Sequence, residues 1–343
     1  MIDINSLVRE NIKRLIPYSC ARDEYKGDDG IFLDANENPY GTLNRYPDPY
    51  QRELKSAVSR FRNIPVEKIF LGNGSDEIID LCYRAFCNPG VDRAMTFVPS
   101  YGMYEVSSGI NDVGLIRIPL DDNFQIDLKT IEPYLCEPDL KLIFICSPNN
   151  PTGNSMEPSR VESIISGFGG IVVIDEAYID FARQPSFMNL LGRYNNLIVM
   201  QTFSKAMGMA AVRVGMAFAD SSVVNIFNKL KPPYNISSIN QKAVLNAINH
   251  TDSVFKKVER IRSERARLER NLLKLSTVEK VYPSDSNFLL VKTKNADLVY
   301  SMLIEKKIIV RNRNRVVPGC IRITVGSIKE NNILLRTMQQ IKI

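Results

Sequence analysis

Short apolar runs bounded by turn residues recur at Lys68–Leu71, Ala94–Val98, Leu115–Ile118, Leu142–Cys146, Ile171–Ile174, Leu197–Gln201 and Val214–Ala219. Runs this short suit fully buried strands better than core helices. Helical patterns separate them, and the alternation predicts an α/β domain with a largely parallel sheet. Beyond Pro232 and Pro233 the texture changes: Val254, Val258, Ile261, Leu268, Leu272 and Leu275 form one apolar stripe across a highly charged helix, which must pack on a neighbour. Strand patterns at Phe288–Val291, Ile308–Val310 and Cys320–Thr324 then predict a smaller α+β domain. The expected division is an N-terminal segment 1–40 joining the small domain, a large ligand-binding domain 41–240 and a small C-terminal domain 241–343.

Length and composition narrow the class. The 343 residues allow about two domains, and 44% hydrophobic with 24% charged residues is an ordinary globular mixture, excluding disorder and fibrous repeats. The net charge of +6 favours anionic small ligands but is thin for a nucleic-acid binder. No stretch approaches the ~18 apolar residues of a membrane span, and MIDINSLVRENIKRL mixes apolar and charged positions unlike a signal peptide, so the cytoplasm is the expected address. The six cysteines form no CxxC pair and read as reduced thiols. A single histidine, His250, removes histidine triads and histidine-rich metal sites, and no metal is expected.

In IVVIDEAYIDF an apolar run ends at Asp175 and Glu176, with Tyr178 close behind. An acid at the carboxyl end of a buried strand lies where open α/β sheets bind ligands. Taken alone it could also cap a turn; the magnesium strand of a P-loop NTPase would require a GxxxxGK[ST] loop, and the chain has none. Further on, QTFSKAMGMAAVRVG places Ser204 and Lys205 after a strand, with Arg213 beyond. Together these supply an amine nucleophile, a cation partner and phosphate donors, the set that pyridoxal phosphate requires. The amine bonds the aldehyde, the Asp keeps the pyridine nitrogen protonated, and the donors hold the phosphate dianion. LGNGSDEIIDL adds Gly72 and Gly74 ahead of Ser75 and Asp76 at a helix start, where free N–H groups meet phosphate, although a plain N-cap reads the same. FVPSYGMYEV contributes Tyr101, a ring for stacking or for the core, and ICSPNNPTG ends a strand in a turn carrying Asn149 and Asn150.

The segments LDANENPYG, GNGSDEII, PSYGMY, SPNNPTG, VIDEAYIDF, TFSKAMGMAAVRVG and IRITVG follow one another over almost the whole chain. In that order the sequence resembles the class II pyridoxal-phosphate-dependent aminotransferases of fold type I, in particular those acting on histidinol phosphate. The resemblance implies that Lys205 bonds the cofactor, that Asp175 partners the ring nitrogen, and that Tyr178 and Asn150 donate to the ring's phenolic oxygen. It implies stacking by Tyr101. Phosphate contacts fall to the N–H groups of Ser75 and Asp76, to Ser204 and Arg213, and to Tyr46 from a second subunit, hence a homodimer. Arg322, Arg311 and Tyr18 are implied as substrate contacts, whereas Arg313 and Arg315 read as a solvated basic loop. The implied substrates are histidinol phosphate and glutamate or 2-oxoglutarate; aromatic amino acid transfer and phosphothreonine decarboxylation within the same fold stay open.

Overall fold

A computed structural model describes residues 2–21, 25 and 29–341. Seven strands form the larger sheet: β1 (Ile69–Gly72), β2 (Arg93–Val98), β3 (Gly114–Pro119), β4 (Leu140–Cys146), β5 (Ile171–Asp175), β6 (Leu197–Thr202) and β7 (Gly215–Ala219), in the spatial order β1-β7-β6-β5-β4-β2-β3. All pairings from β3 across to β6 are parallel, while β7 runs antiparallel to both β6 and β1. β1 therefore points the same way as β6, and β7 alone is reversed. The expected parallel sheet is present with this one inversion.

Strands β4 to β7 are buried almost throughout because helices cover both faces, which is why they read as continuous apolar runs rather than alternating ones. One face packs on the helices Ser75–Phe86 and Ser221–Leu230, the other on Arg52–Arg62, Pro158–Gly167 and Ser238–Ile248. The short helices Ile4–Leu7 and Glu10–Arg14 also join the large core, because Ile4, Val8 and Ile12 are buried in the same cluster as Phe86 and Phe227. This corrects the expectation that the N-terminal segment joins the small domain, at least for these residues.

The smaller sheet contains β8 (Val278–Val281), β9 (Phe288–Thr293), β10 (Arg311–Asn312) and β11 (Cys320–Thr324) in the order β10-β11-β9-β8, wholly antiparallel. Its core draws on the helices Thr251–Leu272, Ala296–Glu305 and Ile328–Gln340. The stripe on Thr251–Leu272 has two destinations. Val254 and Val258 pack on Tyr178 and Phe181 of the large sheet's loops, while Leu268 and Leu272 enter the small core, so one helix ties the two together.

Two departures have local causes. Strand pairing near Ile308–Val310 begins only at Arg311. Before it, Lys307 takes a left-handed φ of 59° and the N–H groups of Lys307 and Ile308 still bond the helix carbonyls of Ile304 and Leu303. β8 carries no strong pattern because it is a four-residue edge strand with Glu279 and Lys280 exposed.

Candidate active site

The exits of β2, β4, β5 and β6 lie along one edge of the large sheet, and β1 opens there into the helix Ser75–Phe86. The pocket at this edge has a cavity volume of about 120 Å³ and is lined by Asp175, Tyr178, Ser204 and Lys205 on the strand exits, with Ser75, Asp76, Tyr101, Asn150 and Arg213 around them. One polypeptide thus gathers all nine cofactor residues expected from one chain. Tyr18 and Tyr46 do not line it. Tyr18 is exposed and borders a separate cleft with Pro49 and Lys231, and Tyr46 stacks on Tyr234 with ring centroids 4.4 Å apart.

Asp175 ends β5, only 3% exposed. Its Oδ2 accepts from the Tyr104 hydroxyl at 2.8 Å and its Oδ1 from the Ala177 N–H at 3.0 Å. Burial raises its pKa against these two donors, and among the described residues it makes no salt bridge. A desolvated carboxylate held by neutral donors is a strong partner for a cation that enters the pocket. The sequence alone assigns Tyr104 no role. It lies on the helix Met103–Ile110, fully buried and stacked on Phe144 at 5.0 Å, and its place three positions after Tyr101 was the available signal.

Lys205 follows β6. Burial lowers its pKa first, then the nearby Arg322 guanidinium, while Asp175 opposes them. A lysine so placed gives up its proton more readily and becomes a better nucleophile and base. Its Nζ lies 5.7 Å from the centre of the Tyr178 ring. Burial raises the Tyr178 phenol, which keeps its proton and stays a hydrogen-bond donor.

At the other end the backbone closes tightly. A Cβ on Gly215 would meet the Gly74 carbonyl carbon and the Ser75 nitrogen at 2.6 Å, and one on Gly74, whose φ is +78°, would meet Arg213 Nη2 at 2.7 Å. Arg213 itself adopts a left-handed φ of 54°, an uncommon conformation for a side chain of this size and one concentrated at ligand sites. Its Nη2 donates to Asp76 Oδ2 at 3.2 Å, and Asp76 Oδ1 accepts from the Tyr101 hydroxyl at 3.1 Å. No side chain caps the helix Ser75–Phe86, so its first N–H groups face outward beside a guanidinium and the Ser204 hydroxyl.

From the small sheet, Arg322 on β11 reaches across to Asn150, donating from Nη1 to its Oδ1, and lies 5.1 Å from the Phe288 ring centre. Arg311 on β10 is the direct cross-strand partner of Arg322. The two expected substrate arginines therefore share one sheet face; Arg322 is near enough to act on Lys205, although neither arginine lines the pocket itself.

A family described as aminotransferase class I and II matches residues 24–338. The chain belongs to this aminotransferase family. Among its relatives, a histidinol-phosphate aminotransferase of Cytophaga hutchinsonii is 50% identical over 98% of each chain, and one of Parabacteroides distasonis is 48% identical over the full length of both. The solved histidinol-phosphate aminotransferase of Clostridium acetobutylicum superposes with a TM-score of 0.79 at 24% identity, covering 87% of this chain and 90% of that one. The enzyme from Sinorhizobium meliloti, in complex with pyridoxal-5′-phosphate, also gives 0.79, at 21% identity and 89% of each chain. At such identities the solved structures establish the shared fold.

The aminotransferase cofactor, pyridoxal phosphate, fits what the pocket offers. Asp175 offers a desolvated carboxylate for the ring nitrogen, the uncapped helix start with Arg213 and Ser204 offers donors for the phosphate dianion, and Lys205 in the same pocket offers an amine of lowered pKa.

Proposed function

We infer that this aminotransferase moves an amino group between L-histidinol phosphate and 2-oxoglutarate, yielding imidazole acetol phosphate and glutamate in histidine biosynthesis. The observation carrying this reading is the cross-strand Arg311–Arg322 pair, whose Arg322 acts on Lys205 and donates to Asn150, supported by relatives of that name over nearly the whole chain. Guanidinium binds carboxylate and phosphate monoester alike through two parallel N–H donors, which lets one pocket take both substrates in turn.

Pyridoxal phosphate, when bound, supplies an aldehyde for the amino group and a ring that accepts the electron pair of the broken Cα–H bond. The chain's residues do the rest. Arg213, Ser204 and the N–H groups of Ser75 and Asp76 anchor the phosphate; Asp175 holds negative charge against the ring nitrogen; Tyr178 and Asn150 donate to the phenolic oxygen. Lys205 would hold the cofactor through its aldehyde carbon, and its amine of lowered pKa, once free, would take up and return the substrate's Cα proton. Two half-reactions through one site give ping-pong kinetics.

The working unit is a homodimer whose chains each join a large and a small domain, the expected boundary at 240 moving past the helix Ser238–Ile248 that packs on the large sheet, with Tyr46 completing the neighbour's phosphate site. In support, Tyr46 is half exposed and outside its own pocket, and Ile31 and Leu33, on the N-terminal segment that precedes it, are about nine-tenths exposed, an apolar surface suited to a partner. A cytoplasmic address accords with a metabolic enzyme in which no described helix is long and apolar enough to cross a membrane.

Single-turnover spectra with histidinol phosphate, histidinol and phenylalanine test the reading. Removing the phosphate lowers kcat/KM by at least ~10-fold, since a charge-assisted hydrogen bond contributes roughly 1.5 to 3 kcal/mol. Equal efficiency on histidinol or phenylalanine would leave an aminotransferase of another specificity.

A further inference from the structure

The basic run Arg311–Arg315 reads as one exposed loop, yet the sheet sorts its residues onto two sides. Asn312 and Asn314 both donate to the Asp297 carboxylate, at 2.7 Å each, and Arg315 acts on that same carboxylate from a distance. Arg311 stands opposite Arg322, and the Arg313 N–H bonds the Cys320 carbonyl as the ladder continues. Arg313 follows the last residue of β10, but that bond keeps it in register, and its guanidinium is near Arg322, Arg311 and Tyr178, so it lies with Arg311 on the Arg322 side, which presents Phe288 to Tyr178.

Three guanidinium groups thus crowd one face. Among the described residues none forms a salt bridge with a carboxylate, and the Nε atoms of both Arg313 and Arg322 are buried without a hydrogen-bond partner. Like charges placed directly across a ladder destabilise a sheet, and a buried unpaired N–H adds its own desolvation cost. Burial, with Arg322 and Arg311 close by, lowers the Arg313 pKa to about 10. Such an arrangement is balanced when an anion enters.

We propose that Arg313 is a phosphate-binding residue, the third guanidinium of an anion site formed with Arg311 and Arg322, and that it sets the preference for the phosphorylated amine over the dicarboxylate donor. A phosphate monoester carries close to two charges and three acceptor oxygens at neutral pH, whereas each glutamate carboxylate carries one charge and two oxygens. Two guanidinium groups satisfy a carboxylate; the third matters chiefly to a dianion. The proposal rests on the histidinol-phosphate reading for its substrate, though the anion site itself does not.

The test compares both half-reactions in the cofactor-loaded enzyme carrying Arg313→Gln, Arg313→Lys or, as a control in the turn beyond the strand whose charge acts on Asp297, Arg315→Gln. Arg313→Gln raises KM for histidinol phosphate roughly 10- to 100-fold, the loss of one charge-assisted hydrogen bond, with kcat within about 3-fold. The glutamate half-reaction changes less than about 3-fold, competitive inhibition by inorganic phosphate weakens about 10-fold, and Arg315→Gln changes neither. Equal losses with both substrates, or no loss with either, overturn the proposal. Should Arg313→Gln fail to take up cofactor, Arg313→Lys decides the matter: it retains the charge without the fork, and its smaller loss must still be confined to phosphate. If the unaltered enzyme does not turn over histidinol phosphate, the substrate reading fails separately. Inorganic phosphate competing against glutamate then decides for Arg313: weaker inhibition in Arg313→Gln supports the anion site, and unchanged inhibition overturns it.

Discussion

Replacing Asp175 by Asn separates what this carboxylate does for chemistry from what it costs the fold. The amide is isosteric: its oxygen keeps the Ala177 N–H, and the Tyr104 hydroxyl turns to accept from the amide nitrogen, so neither existing contact is lost. Only the charge disappears. Two opposite charges at about 3 Å interact by about 5 kcal/mol at an effective dielectric of about 20. Between half and all of this is expected in the step that moves electron density onto the ring, so the half-reaction slows by about 10²- to 10⁴-fold. The cofactor-free protein responds in the opposite direction. Burial already pushes the Asp175 pKa up, so its ionised form is a liability without a cation, and the neutral amide leaves stability unchanged or higher by about 1 kcal/mol. Single-turnover spectra measure the first effect and urea unfolding of the cofactor-free protein the second. A half-reaction within about 10-fold of the unaltered enzyme would refute the ion pair, and a marked loss of cofactor-free stability would recast Asp175 as a structural acid.

Other outcomes follow from the same geometry. Borohydride reduction of the yellow protein fixes the cofactor to Lys205 by peptide mapping, and Lys205→Ala abolishes turnover; an adduct on another lysine contradicts the assignment. Mixing Lys205→Ala chains with inactive Tyr46→Phe chains restores part of the activity on subunit exchange, because one site of each heterodimer carries neither change; no recovery despite verified exchange places Tyr46 in its own subunit. Glu176, fully buried with donors Ser186, Phe187 and Gln201 around it, has its pKa raised by burial from 4.5 to about 7. The folded state then holds this proton more tightly than the unfolded one. The stabilisation is complete below about 4.5 and is lost as pH rises through 7, by roughly 3 kcal/mol. Unfolding of Glu176→Gln at pH 5 and pH 8 shows a correspondingly smaller difference than the unaltered chain, and identical pH dependence would place the titration elsewhere.

Local sequence determined which chemistry the chain carries. A strand exit is written as an apolar run followed by polar residues, so Asp175, Lys205 and the GNGSD turn were legible before any fold was known, as were the strands that present them. Tertiary structure decided what composition cannot encode. The hydrogen bond from Tyr104 to Asp175 spans 71 positions and depends on the phase at which the helix Met103–Ile110 starts. β7 is as apolar as its parallel neighbours, and only its pairing with β1 and β6 reveals that it runs the other way. In Arg311–Arg315 every charged position looks alike in sequence. The register of β10 on β11, carried one residue further by the Arg313 N–H bond to Cys320, brings Arg313 to Arg322 and leaves Asn312 and Asn314 with Asp297, because a strand's two faces are assigned by its hydrogen-bond partner and not by its own residues.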